Sequence, residues 1–210
     1  MRQQRIDELN RRDHYYLDAQ DQCYFFLEYS ARQGRVFGAT NELVCDLLRA
    51  DGQPGFGPDV RKQRAIRRLA QVFKAALNGG PLRTATFVPL PSARPRKHPA
   101  HDDRMHRVLR SIAEGLDIRD LIELAETRES GDFTGIRAGP DVLYANMRVV
   151  PALLEPAPTV ILLVGDVLTT GASFVAARRR LTQALPFAPV YGLFAARKLR
   201  DADDLPNLDA

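Results

Sequence analysis

A chain of 210 residues with 45 % hydrophobic and 27 % charged side chains is long enough to bury a core, as one elaborated domain or two small ones. The start, Met1-Arg-Gln-Gln-Arg-Ile-Asp, is strongly polar, and no apolar run approaches the roughly 18–20 residues that span a bilayer, so a cytoplasmic protein is expected. Two cysteines, Cys23 and Cys45, are too few and too far apart for a zinc ribbon or a disulfide framework, and both read as buried thiols.

The formal net charge is +4, with a sequence pI near 9.3. The excess is clustered: Arg61, Lys62, Arg64, Arg67 and Arg68; Arg94, Arg96 and Lys97; and Arg178-Arg179-Arg180. Such groups fit nucleic acid or a phosphate-rich small ligand, while the first and third read equally as solvated helix faces.

Residues 1–80 read as helical. Cys23, Phe25, Phe26 and Tyr29 suggest a helix over 18–33, stopped by Gly34. Thr40 is a suitable N-cap for a helix over 41–49. Residues 51–58 read as a loop or flap. A longer helix begins at Asp59, with Ile66, Leu69, Ala70, Phe73 and Leu77 on one face, and Asn78-Gly79-Gly80-Pro81 stops it.

The texture then changes to alternating strands and helices. Strands are expected at 85–90, 120–125, 159–164 and 190–195. Helices are expected at 101–116, from Gly139-Pro140 to about 147, and at 173–185. The run at 159–164 is apolar without alternation, as in a strand covered on both faces. The reading is an α/β domain over 81–210, built on a mostly parallel sheet, preceded by a helical cap over 1–80.

The chemistry concentrates in Gly165-Asp166-Val167-Leu168-Thr169-Thr170-Gly171-Ala172-Ser173. A buried strand, a carboxylate, a small hydroxyl-rich turn and a helix follow one another. Ligands of parallel sheets bind at the carboxyl ends of strands, and helix N-termini favour phosphate. Gly171 admits phosphate oxygens, and Thr169, Thr170 and Ser173 offer hydroxyls. Asp166 is placed to accept from ribose hydroxyls. The order reads as a cradle for ribose 5-phosphate. A nucleotide-binding P-loop is excluded because no Gly-Lys-Ser/Thr follows.

This stretch resembles the signature of the type I phosphoribosyltransferases. The order of Glu126-Thr-Arg-Glu-Ser-Gly-Asp132, Gly139-Pro-Asp-Val-Leu-Tyr-Ala-Asn146 and the Asp166 segment is similar to the competence-associated ComF-type members, over roughly residues 84–200. The resemblance implies a glycosyltransferase of nucleotide metabolism that binds phosphoribosyl pyrophosphate (PRPP) with Mg²⁺ and transfers phosphoribosyl to a nucleobase or other nitrogen acceptor. It implies that Asp166 holds the ribose, that Thr169, Thr170, Gly171, Ala172 and Ser173 hold the 5-phosphate, and that Ser92, Arg94, Arg96 and Lys97 hold the pyrophosphate. His98, His101 and His106 with Asp102 and Asp103 suggest a metal site only faintly; the two aspartates read as helix starters. The family has two adjacent carboxylates where this chain has Gly165-Asp166, and it often carries a zinc ribbon that is missing here. An enzyme, a non-catalytic sensor of PRPP or a nucleotide, and a nucleic-acid accessory protein all remain open.

Overall fold

The computed structural model describes residues 3–50, 59–77, 80–127 and 138–200. The expected flap at 51–58, the helix stop at Asn78-Gly79 and most of the 126–132 motif lie outside these residues.

Five strands form the main sheet in the order β1-β2-β7-β6-β3. They are β1 (Gln4–Arg5), β2 (Cys23–Tyr29), β3 (Thr86–Pro89), β6 (Ile161–Leu168) and β7 (Val190–Lys198). All neighbours are parallel except β1, which pairs antiparallel with β2 at one edge. A separate antiparallel pair joins β4 (Ile122–Leu124) to β5 (Met147–Val149). The architecture is therefore α/β with a mostly parallel central sheet.

Helices cover both faces. Against one face lie α2 (Ala39–Leu48), α3 (Val60–Ala76) and α5 (Arg104–Arg110), contributing Leu47, Phe73 and Leu109 to a core with Phe26, Phe87 and Val164. Against the other lie α6 (Pro140–Asn146), the β4–β5 pair and α7 (Ala172–Ala184), whose Phe174 and Leu181 meet Phe25, Val88 and Leu163. Adjacent strand residues thus enter opposite cores: Phe25 and Phe26, Phe87 and Val88, Leu163 and Val164. Both faces being covered explains why these strands carry no polar alternation. Two short helices, α1 (Glu8–Arg11) and α4 (Pro81–Thr84), complete the described elements.

The expectation of a wholly helical segment over 1–80 is corrected at its most apolar stretch. Residues 23–29 are not helix but β2, paired parallel with β7 from Cys23↔Gly192 to Tyr29↔Lys198. Strands β1 and β2 therefore belong to the same sheet as the C-terminal half, and residue 80 does not divide a helical cap from it. A seven-residue run with four aromatics fits a pleated surface better than a helix. The turn before it is closed by reciprocal bonds: Asp18 accepts from the Gln20 and Asp21 N–H groups, and Asp21 accepts from the Asp18 N–H.

Other boundaries moved less. Helix α2 starts one residue before Thr40, with Gly38 as N-cap. Asp59 caps α3 by accepting from the Arg61 and Lys62 N–H groups. The helix expected over 101–116 is confined to α5, yet Met105, Val108, Leu109 and Ile112 are buried as its periodicity requires. Strand β6 runs beyond 164, through Asp166 to Leu168. Cys23 is buried, with its thiol pushed to a higher pKa by that burial, and Cys45 is half-buried. Among the described residues no helix is long and apolar enough to cross a membrane.

Phe73 on α3 is fully buried and its ring lies 4.7 Å from that of Phe26 on β2. Phe73→Ala should destabilise the chain by about 3–5 kcal/mol, the usual range for emptying such a site. Urea unfolding of the two proteins measures it; a loss under about 1 kcal/mol would mean that α3 does not close this core.

Candidate functional site

A cavity of about 620 Å³ opens where the parallel strands end, with Tyr29 of β2, Pro89 of β3, Leu168 of β6 and Lys198 of β7 on its wall. Asp166, Thr169, Thr170, Gly171, Ala172 and Ser173 all line it, as do Ser92, Arg94 and Arg96. The sheet order makes this meeting possible, because β3 and β6 are direct neighbours and their following loops share one edge. Lys97 alone among the expected residues lies outside the cavity lining, on an exposed stretch.

Asp166 does not stand on the loop. It lies inside β6, flanked by the Gly165↔Phe194 and Val167↔Ala196 pairs with β7, so its backbone is fixed by the sheet. The turn proper is Thr169-Thr170-Gly171, and α7 starts at Ala172. Gly171 is the helix N-cap in left-handed conformation, φ 88°. A Cβ there would lie 2.7 Å from two Leu17 side-chain carbons, so backbone and packing both demand glycine. The Ala172 N–H approaches the Thr170 hydroxyl at 3.4 Å, at the helix end where backbone N–H groups point outward.

The N-terminal segment grips this turn from outside. The Tyr16 N–H donates to the Thr170 carbonyl at 3.0 Å, and the His14 ring donates from Nδ1 to the Thr169 carbonyl. A carbonyl only accepts, so Nδ1 carries the proton. His14 is completely buried, and its Nε2 has no partner among the described residues. Burial holds its pKa below the usual value; Arg197 acts in the same direction, while the Thr169 bond and Asp13 act against it. Arg197 itself is fixed by Asp13 at 3.0 Å and by Glu28 at 2.5 Å.

A line of alternating charge reaches Asp166 from the opposite side. Lys62 of α3, fully buried, bonds Asp102 at 2.8 Å. Asp102 Oδ2 also meets Arg104 Nε at 3.1 Å, and Arg104 Nη1 lies 3.2 Å from Asp166 Oδ2. The other Asp166 oxygen accepts the Val167 N–H at 2.6 Å. Asp120 is clamped by His106 through one oxygen and by Arg96 through the other. Burial works to raise its pKa, but the His106 bond and the electrostatic pull of His106, Arg96 and His101 together bring it below the ordinary carboxylate value.

The loop after β3 is closed on itself. The Arg94 carbonyl accepts from the Ser92 hydroxyl at 3.0 Å and from His101 Nδ1 at 2.8 Å. Arg94 lies 3.4 Å from the Ala100 carbonyl. Asp102 is a helix starter as expected, accepting the Arg104 N–H, whereas Asp103 makes no side-chain cap bond.

These contacts bear on Mg²⁺. Each aspartate lining the cavity, Asp102, Asp120 and Asp166, has both oxygens engaged by a cation or an N–H donor. Among the described residues no group of three or more His, Cys, Asp or Glu side chains converges as a metal site. A divalent cation here would have to share each of these oxygens with a cation or donor already bound to it, which the donor set disfavours.

Gly165 faces a ring. A Cβ there would lie 2.6 Å and 2.7 Å from two carbons of Phe194 and 3.2 Å from Leu90. The place a side chain at 165 would take is filled by the aromatic ring of its β7 partner.

The basic clusters separate. Arg178 pairs with Asp21 at 2.9 Å and Arg179 with Asp141 at 2.6 Å, while Arg180 stacks 3.7 Å above the Tyr144 ring. That group ties elements together. Arg61, Arg64, Arg67 and Arg68 form an exposed face of α3, but Lys62, counted with them from sequence, points inward.

His14, Arg104 and Asp120 were not singled out by the sequence, and Lys62 and Asp102 only as part of a basic cluster and as a helix starter beside a faint metal group, since each acts across a tertiary contact. The only local hints were a lone histidine beside two tyrosines and a lysine on the apolar side of an otherwise basic helix. Compared with known proteins, the chain matches no family model and no curated protein.

His14 yields a pH prediction. Its folded pKa is depressed from 6.5, so below that value the unfolded chain takes up a proton that the folded chain resists. Stability should fall as pH drops through the region below about 6.5. Melting temperatures of the parent and His14→Asn between about pH 5 and 8 test this, because asparagine retains an N–H donor without titrating there. Parallel pH curves for the two proteins would exclude His14 as the source.

Proposed function

We propose that this chain is a phosphoribosyltransferase-like protein, of the type I sheet architecture, that binds PRPP or a related phosphorylated ribose in the cavity above β6. The observation that carries the reading is the passage from Asp166, fixed within β6, through the left-handed Gly171 into α7 on the cavity wall. The first turn of α7 and the hydroxyls of Thr169 and Thr170 would receive the 5-phosphate. Asp166 would accept from a ribose hydroxyl, a carboxylate having more lone pairs than its present contacts use. Arg94 and Arg96 would face the pyrophosphate.

In transfer, an acceptor nitrogen bonds to the anomeric carbon as the bond from that carbon to the pyrophosphate oxygen breaks. The nitrogen's proton leaves to solvent or to the acceptor's own base. The protein's part is orientation and charge stabilisation, without covalent catalysis. A second reading, binding without turnover, is favoured by Phe194 filling the place beside Gly165.

Calorimetry with PRPP and ribose 5-phosphate, followed by pyrophosphate release with a panel of nucleobases, tests both. Thr170→Ala should weaken both ligands by about tenfold, the loss of one hydrogen bond to a charged group. Absence of binding by the parent protein to either compound would sink the reading; binding without pyrophosphate release selects the sensor.

Gly165→Asp separates the same readings structurally. Alone it should lower the melting temperature, because the new side chain overlaps a buried ring in a strand interior. Combined with Phe194→Ala, the aspartate gains room, and PRPP affinity should exceed that of Phe194→Ala alone. Equal affinity in those two variants would show that a carboxylate at 165 does not reach the ligand.

A further inference from the structure

Resting on the reading above, we propose that Arg104 takes the charge-neutralising role that the resemblance assigns to Mg²⁺, so that this cavity binds a pyrophosphate-bearing sugar as its free anion. Arg104 enters from α5 and brings Nη1 to 3.2 Å from Asp166 Oδ2. That approach is a charge contact only: Nη1 is buried without a well-formed hydrogen bond, an unsatisfied donor on a residue of the cavity wall, which a small turn of the guanidinium would present to a ligand oxygen. The guanidinium is held at its other side by Asp102, itself anchored on the fully buried Lys62 ammonium.

Position and charge point the same way. The cation beside the expected ribose carboxylate is a fixed, always-protonated fork suited to phosphate oxygens. A divalent ion approaching Asp166 would meet this like charge at close range and would find the neighbouring Asp102 and Asp120 already paired. Losing a carboxylate at 165 removes a negative charge from the same wall. One cation with one carboxylate replaces a metal with two. Lys62 and Asp102 are positioning residues here, and Arg104 is the contact residue.

The test is calorimetry on the full chain, with PRPP and ribose 5-phosphate as probes, in excess chelator and in Mg²⁺. The parent protein should bind PRPP with affinities within about threefold in the two buffers. Arg104→Gln should lose about tenfold or more of its PRPP affinity in chelator, regain part of it in Mg²⁺, and keep most of its ribose 5-phosphate binding. PRPP binding by the parent that requires Mg²⁺, with ribose 5-phosphate binding that does not, overturns the proposal and leaves the phosphate-loop reading standing. Undiminished PRPP binding by Arg104→Gln in chelator also overturns it. If neither compound binds the parent in either buffer, both readings fall. The chelator comparison on the parent needs no variant, so it decides the matter even if Arg104→Gln does not fold.

Discussion

The turn after β6 depends on contacts from the far end of the chain. Thr169 and Thr170 turn their carbonyls to His14 and Tyr16, and Gly171 lies against Leu17, so the segment before β2 closes the outer side of the turn. A left-handed glycine between a strand and a helix is conformationally free when isolated, and freedom in a binding loop is lost at the expense of affinity. Here it is removed on folding. Because β2 is hydrogen-bonded to β7, which is hydrogen-bonded to β6, the brace and the loop are carried by one sheet.

That arrangement changes the meaning of the N-terminal residues. A cap laid over a finished domain would be separable from it, whereas β2 lies inside the sheet and α3 supplies Lys62 to the charge line. Lys62 illustrates the energetics. A buried ammonium is costly unless paired, and its partner Asp102 is shared with Arg104, so removing that one carboxylate would leave two neighbouring cations without it. Such a line fixes the orientation of Arg104 more firmly than packing of its flexible stem would.

How far the sequence reveals this follows from the range of each interaction. The β6–turn–α7 unit was legible because its signals are local: an apolar run, small residues at the turn, a helical period after it. Strand β2 was not, because Phe25, Phe26 and Leu27 are buried on both faces and a continuous apolar run carries neither the period of a helix nor that of a one-sided strand. Its short length and aromatic content were the discriminating signs. The cavity was legible in outline from Asp166 and the loop after β3, but Arg104 and Asp120 reach it only because α5 and the approach to β4 fold back beneath β3 and β6. No spacing in the chain encodes that.

Gly165 joins the two scales. From sequence it is an omission, one carboxylate fewer than the resemblance leads one to expect. In the sheet it is a fit: glycine in a strand interior usually marks a close approach, and here the approaching group is Phe194, registered directly opposite. The ring also meets Phe174 of α7 edge-on, with centroids 6.4 Å apart, so it belongs to the core that seats the helix after the Thr169–Gly171 turn. An acidic residue at 165 would therefore disturb the support of the loop as well as the cavity wall. The glycine, the packed ring and the guanidinium facing Asp166 form one consistent arrangement, in which the wall beside Asp166 is apolar and the charge of Asp166 is balanced by a side chain.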